Sequence, residues 1–348
     1  MCYICTKNKS MKIGKIDTDK KVFVVAEIGN NHEGNFELAK DMIKEAAVAG
    51  VDAVKFQTFI PEKFVSFVDQ SRINRLRSFQ FSYKQFKELS KVAKKKGLIF
   101  FSTPLDLDSA KFLNTIQPIF KISSGDNNFY PLIDTVASFC KPMIISTGAS
   151  DIRSLQKLYD RISKIWSSKE KRYQNLSFLH CVSSYPVPNE QVNLASIRYL
   201  KKMFPKIVVG YSDHTLGIDA AVLSVIAGAR IVEKHFTLDK NYSDFRDHQL
   251  SADPEEMGIM VDEIRKAEKS LGKEEKKTQT CEKGMKIEGR RSIALARDLP
   301  AGTKLSTDHL TWLRPAKGFL PGDEKKILGK KLRKDLKMGT IITKKNLK

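Results

Sequence analysis

Short apolar, β-branched runs alternate along this chain with longer stretches whose apolar positions recur every three or four residues. Eight runs fit buried strands: residues 22–29, 53–58, 98–104, 120–125, 143–148, 176–182, 207–213 and 231–237. The stretches between them read as helices. Residues 36–50, F-E-L-A-K-D-M-I-K-E-A-A-V-A-G, keep the three–four spacing and end in glycine, as helices commonly do. Residues 83–97, 151–165 and 254–272 share the pattern, the first two opening at Ser82 and at Ser150 or Asp151 as caps. Residues 61–81 fit neither period and read as an inserted loop. Eight strand–helix alternations over about 250 residues predict an α/β fold, a (β/α)8 TIM barrel. A doubly wound sheet would not need eight strands, and no G-x-G-x-x-G opens the chain.

A barrel of this kind gathers its chemistry at the C-terminal ends of the strands. The first run ends A-E-I-G-N-N-H, presenting Glu27, Asn30 and His32, and the second ends V-K-F-Q-T, where alternation turns Lys55 and Gln57 the same way. The third ends F-S-T-P with Ser102 and Thr103; the fourth is K-I-S-S-G-D with Lys121, Ser124 and Asp126. Ser146 and Thr147 close the fifth, and Ser183 and Tyr185 follow the sixth. The seventh and eighth bring Ser212, Asp213, His214, Glu233 and His235. His214 and His235, 21 residues apart, end two strands of one βαβ unit, so parallel pairing should set them side by side. Two neighbouring imidazoles can bind a divalent metal, with Asp213 and Glu233 in position to supply oxygen or to orient the rings. Two lysines in a ring of hydroxyls and glycines form an electropositive cradle for phosphate or carboxylate.

Composition narrows the class. With 348 residues, 41% hydrophobic content and 20 Phe, the chain can bury one large core and carry a small second domain. No run is long enough to cross a bilayer, and the first ten residues hold no signal-peptide core, so a cytoplasmic protein without a membrane partner is expected. Five cysteines make no disulfide framework; Cys2 and Cys5 form a C-x-x-C with no second pair to complete a zinc site. Met11 begins a plausible alternative N-terminus, M-K-I-G-K. The net charge of +21 raises nucleic acid as a partner, but the lysines are spread out and no aromatics interleave with them, so none is expected.

Taken in order, A-E-I-G-N-N-H-E-G, V-K-F-Q-T, F-S-T-P, K-I-S-S-G-D-N-N, S-T-G, S-S-Y-P, G-Y-S-D-H-T and E-K-H-F-T resemble the sialic acid synthase family. Beyond a lysine-rich hinge, R-R-S-I-A-L-A-R-D-L-P-A-G-T-K-L and T-W-L-R-P resemble the small antifreeze-like (SAF) domain that closes the chains of that family. The resemblance implies a leader over residues 1–11, a barrel over 12–272, a linker over 273–284 and a β-rich SAF domain over 285–348. It implies condensation of phosphoenolpyruvate with an N-acetylated hexosamine, giving a nonulosonic acid and phosphate.

Matched position by position, Lys55, Thr103, Lys121, Ser124, Ser146 and Ser212 fall on family residues that hold phosphoenolpyruvate, and Ser183 on a phosphate contact. His214 and His235 fall on ligands of a divalent metal, Mn²⁺ foremost, with Mg²⁺ or Co²⁺ as substitutes. Glu27 falls on the carboxylate at the reacting carbons. Gln57, Tyr185, Asp126 and Asp247 fall near the sugar or the water shell of the metal, and Arg314 on the arginine that reaches the sugar from the partner subunit in a swapped homodimer. Position 126 is Asp where many bacterial relatives have Glu, and 183 is Ser where some have Asn. N-acetylmannosamine, its 6-phosphate and the diacetamido-trideoxyhexoses leading to legionaminic or pseudaminic acid stay open as acceptors. So do another phosphoenolpyruvate condensation and a lysine Schiff-base aldol reaction on the same barrel.

Overall fold

All eight expected runs form strands in the computed structural model, which describes residues 10–168 and 175–348. They are β1 (Phe23–Gly29), β2 (Ala53–Thr58), β3 (Ile99–Pro104), β4 (Phe120–Ile122), β5 (Met143–Ser146), β6 (Leu176–Cys181), β7 (Val208–Asp213) and β8 (Ile231–His235). All pair in parallel in the order β3-β2-β1-β8-β7-β6-β5-β4. With β3 and β4 lying alongside at the remaining seam, the sheet is a nearly closed barrel. Cys2 and Cys5 lie outside the described residues.

Burial on both faces hides the alternation of these strands. One set of side chains, with Val24, Val54, Phe56, Phe100, Ile145, Phe178, Val209 and Val232, packs against the surrounding helices. The other set faces inward. At the N-terminal end it is apolar: Phe23, Val25, Ala53, Phe101, Ile144, Leu179, Val208 and Ile231 form one cluster. At the C-terminal end the same inward columns turn charged and polar, with Glu27, Lys55, Thr103, Lys121, Ser146, Ser212, Glu233 and His235 all buried. Each column therefore carries both the floor and the site.

A two-stranded hairpin, Lys12–Ile13 with Ile16–Asp17, closes the floor by adding Met11 and Ile13 to the inward apolar cluster. Met11 is fully buried, and its backbone bonds Thr18 in both directions, 2.9 Å to Oγ1 and 3.1 Å from the amide. A leader reaching residue 11 is thus corrected, because Met11 belongs to the barrel. Fully burying a side chain of this size contributes about 1.5–3 kcal/mol.

Several helices start where a side chain accepts from an otherwise unpaired amide. Asn35 caps Phe36–Val48, Ser82 with Gln85 forms a capping box on Tyr83–Lys95, and Asp253 caps Pro254–Leu271. The Asp151 carboxylate accepts from Ser154 N at the head of Ile152–Ser168. The inserted-loop reading of residues 61–81 is overturned. The segment holds helices Pro61–Phe64 and Gln70–Phe79, the latter capped by Asp69. Its buried residues, Ile73, Leu76 and Phe79, recur every three positions among polar neighbours, so the apolar stripe is one residue wide and escapes a period count.

The chain divides after Gly272. In the second unit β9 (Ser292–Leu295) pairs antiparallel with β10 (Leu310–Leu313), around a core that includes Ile293, Leu310, Ile327, Leu332 and Ile342. Among the described residues, no helix is long and apolar enough to cross a membrane.

Candidate active site

Strand register builds the centre of the site. Glu27 pairs with Lys55 on one side and with His235 on the other, and Glu233 pairs with Ser212. Lys55 Nζ lies 2.7 Å from Glu27 Oε2 and 3.7 Å from Glu233 Oε2, and donates to Thr103 Oγ1 at 3.2 Å. Lys121 Nζ donates to Glu233 Oε1 at 2.6 Å, and Ser212 Oγ donates to the same oxygen at 2.9 Å. Gln57 Nε2 donates to Glu27 Oε1 at 3.3 Å and is itself held by Asn30, whose amide donates to Gln57 Oε1 at 2.9 Å. Two lysines and two glutamates thus share one buried cluster.

The cluster splits its protonation states. Burial pushes the Glu27 carboxyl up to about 7; Lys55 opposes this and the Glu233 charge adds to it. Burial acts against the Glu233 charge too, but Lys121 and Lys55 outweigh it and hold Glu233 well below the usual carboxylate range. Burial would depress Lys55, yet Glu233 and Glu27 together raise it, whereas Lys121 is lowered by burial that Glu233 only partly offsets. One carboxyl able to exchange a proton near neutrality stands beside one that stays ionised, the pairing expected of an acid–base site.

Beside the lysines lies a cradle of hydroxyls. Gly148 N donates to Ser124 Oγ at 3.1 Å, and a Cβ at Gly148 would sit 2.2 Å from Ser183 Oγ and 2.7 Å from Ser124 Oγ. These three residues therefore converge on one spot that tolerates no side chain at 148. Asn127 Nδ2 secures the loop by donating to the carbonyls of Ser146 and Gly148, and the buried Ser146 Oγ has no hydrogen-bond partner among the described residues. Hydroxyls and glycine amides beside lysine ammonium groups suit a tetrahedral oxyanion.

The histidine pair forms at the rim. The His214 and His235 rings lie 5.5 Å apart, with Tyr185 at 4.1 Å from the first and 6.2 Å from the second. The His214 Nδ1 is 2.8 Å from the Val182 carbonyl, which fixes that nitrogen as the donor and makes Nε2 the nitrogen that offers a lone pair when the ring is neutral. Burial, His214 and Lys55 together hold His235 far below its ordinary value, so it is neutral, and its buried Nδ1 has no partner among the described residues. A neutral ring with an orphaned nitrogen beside a second oriented ring is a donor set that fits a divalent cation. Among the described residues no third His, Cys, Asp or Glu completes a cage, so water and substrate oxygens would fill the other positions. Asp247 is buried at the same rim; Arg246 Nε lies 3.4 Å from its Oδ1, and burial raises its carboxyl.

Some expected residues stand elsewhere. Asp213 points outward, where Lys234 Nζ (2.9 Å), Tyr211 and Thr215 occupy its carboxylate, so the expected oxygen ligand is a buried structural ion pair. His32 stacks on Phe81 at 4.1 Å and accepts from Gly34 N through Nδ1. Asp126 accepts from Ser123 Oγ at 2.6 Å on the turn after β4. Arg314 belongs to the second unit, exposed just past β10.

The sequence reading missed Cys181, whose Sγ lies 3.5 Å from Ser124 Oγ and 3.8 Å from His214 Nδ1. Its inward alternation with Leu179 was the available signal. Arg246 was also missed; adjacency to Asp247 was its only mark.

Known proteins resemble the chain along nearly its whole length. The family model described as NeuB family matches residues 42–276, and the SAF domain model matches residues 290–348. An uncharacterized protein of Methanocaldococcus jannaschii is 43% identical, covering 96% of this chain and 97% of its own. The N,N'-diacetyllegionaminic acid synthase of Campylobacter jejuni is 36% identical over 93% of this chain and 99% of its own. A solved N-acetylneuraminic acid (sialic acid) synthetase from Leptospira borgpetersenii superposes with a TM-score of 0.74 at 32% identity, covering 80% of this chain and 95% of that one.

Proposed function

This chain belongs to the NeuB family, whose named members above are nonulosonic acid synthases, and we propose that it transfers the three-carbon unit of phosphoenolpyruvate to an N-acetylated hexosamine, giving a nonulosonic acid and phosphate. The observation that carries this reading is the buried Glu27–Lys55–Glu233–Lys121 cluster set between a hydroxyl cradle and a histidine pair.

Lys55 and Lys121, with Ser124, Ser146, Ser183 and Gly148, hold the phosphate and carboxylate, so their contribution is positioning. The C3 carbon attacks the open-chain aldehyde carbon; a C–C bond forms, the carbonyl electron pair moves to oxygen, and that oxygen takes a proton. Positive character left at C2 lies where Glu27 can stabilise it. Water adds to C2 and gives its proton to Glu27, which Gln57 orients. The C–O bond to the phosphorus-bearing oxygen then breaks, phosphate leaves with the electron pair and takes up the hydroxyl proton, and C2 becomes a ketone; the proton on Glu27 makes good the one taken by the aldehyde oxygen. A divalent cation held by His214 and His235 would polarise the aldehyde as a Lewis acid, contributing several kcal/mol.

The SAF domain brings Arg314, whose permanent charge and five donors suit a hydroxyl-rich sugar. We assign it to the barrel of a partner subunit in a homodimer with exchanged C-terminal domains.

Incubating the purified protein with phosphoenolpyruvate, Mn²⁺ and a panel of N-acetylated hexosamines tests the reading. Release of phosphate with a product of acceptor-plus-pyruvate mass is expected. Unchanged phosphoenolpyruvate across the panel refutes it, and borohydride trapping of pyruvate on Lys55 or Lys121 would replace it with a Schiff-base aldol reaction.

A further inference from the structure

At the rim, one cation has no role in the condensation as derived above. Arg246 stacks on Tyr185 with its guanidinium carbon 4.5 Å from the ring centre, and that ring lies 4.1 Å from the His214 imidazole. These two contacts in series keep the guanidinium within reach of an acceptor whose aldehyde sits at the histidines. The Arg246 side chain is 68% exposed, and its one ion pair among the described residues is the 3.4 Å approach of Nε to Asp247. Its terminal nitrogens therefore face open solvent at the mouth. The stack on Tyr185 limits where the planar fork can point, reducing the entropy lost on binding. Asp247 meets only Nε, which leaves the two terminal nitrogens of the fork for a ligand. The rim thus presents a preoriented, permanently charged fork on the acceptor side, separate from the lysines and hydroxyls of the cradle.

We infer that Arg246 is a specificity-determining residue that binds an oxyanion on the acceptor, at the end of the sugar remote from its reacting carbonyl. A planar fork pairs bidentately with a phosphate monoester or with a carboxylate, and gains far less from a neutral hydroxyl. The inference rests on the synthase reading and narrows its acceptor to an N-acetylated hexosamine charged at its sixth carbon.

The test compares three N-acetylmannosamine acceptors that differ only there: the 6-hydroxyl, the 6-phosphate and the 6-carboxylate. Steady-state kinetics of wild type, Arg246→Gln and Arg246→Lys are measured with each. Wild type should prefer one or both charged acceptors, and which one names the oxyanion. Arg246→Gln should raise KM for that acceptor by roughly 10- to 100-fold more than for the neutral one, with kcat moving little. Arg246→Lys should fall between, keeping charge but not the fork. If Arg246 only props Tyr185, the glutamine variant loses equally on all three acceptors and the inference fails. It fails also if wild type uses the neutral acceptor and neither charged one. Wild type that turns over none of the three but accepts another N-acetylated hexosamine refutes the inference and leaves the synthase reading standing; unchanged phosphoenolpyruvate with every hexosamine overturns the synthase reading itself.

Discussion

Glu233 is the most consequential residue to perturb, because one carboxylate neutralises both buried lysines. In Glu233→Gln, shape is kept while the acceptor of Lys121 at 2.6 Å and the 3.7 Å partner of Lys55 lose their charge. Lys121 and Glu233 side chains are only 3% and 6% exposed, so solvent cannot replace the lost charge. Removing one partner of a buried pair costs about 3–5 kcal/mol. The expected loss is toward the lower figure, since Glu27 remains beside Lys55 and a buried lysine can shed its proton. For the barrel, about 3 kcal/mol corresponds to roughly 6–12 °C in Tm.

The pH dependence carries the sign. Lys121 already has a depressed pKa in the fold, and the variant depresses it further. Between the folded value and the unfolded one of about 10.4, the unfolded chain binds more protons, so stability rises with pH. The Tm deficit of the variant should therefore be largest near neutrality and shrink toward about pH 10. Inorganic phosphate should stabilise Glu233→Gln more than wild type, because the dianion replaces the missing charge. Scanning calorimetry of both proteins across pH, with and without phosphate, measures all of this. A deficit of less than about 1 kcal/mol that ignores pH and phosphate would refute the reasoning, since only a solvated pair behaves so.

Three further outcomes follow from the same geometry. His235→Ala should abolish Mn²⁺ binding by titration calorimetry and abolish turnover while leaving the circular dichroism of the barrel intact; full activity after chelation would remove the metal assignment. With Glu27 raised to about 7, kcat/KM should climb with pH through that value as the base form appears, and a profile flat from about pH 6 to 8 would take the proton step away from Glu27. Mixing Arg314→Ala chains with His235→Ala chains should restore activity after subunit exchange, because one hybrid site keeps both residues; a dead mixture would rule out the exchanged-domain dimer.

The barrel was legible because several strands interrupt their apolar run where the inward column reaches the site: Lys55 and Gln57 in A-V-K-F-Q-T, Lys121 in F-K-I, Glu233 in I-V-E-K-H. The same feature misled at Asp213. An outward position on a doubly buried strand looks like an inward one, and only the fully buried Lys234 beneath it reveals the ion pair. The helix over Gln70–Phe79 was illegible because its buried stripe is three residues of ten. Cys181 was read by cysteine count and not by its alternation with Leu179. Arg246 escaped because its place is set by a ring contact across two loops, which no local spacing encodes.

The pairing of β1 with β8 ties the working geometry to the order in which the chain folds. Glu27 and His235 are register partners separated by 208 residues of sequence, and Lys55 and Glu233 meet across the same closure. Contacts so distant along the chain form late, after the entropy of closing a very long loop has been met. A nascent or truncated chain lacking the last strand can collapse around the apolar floor and still hold neither the proton-exchanging carboxyl in its field nor the histidines as a pair. Catalysis is thus a readout of barrel closure itself, and a refolding experiment followed by turnover times the arrival of the eighth strand.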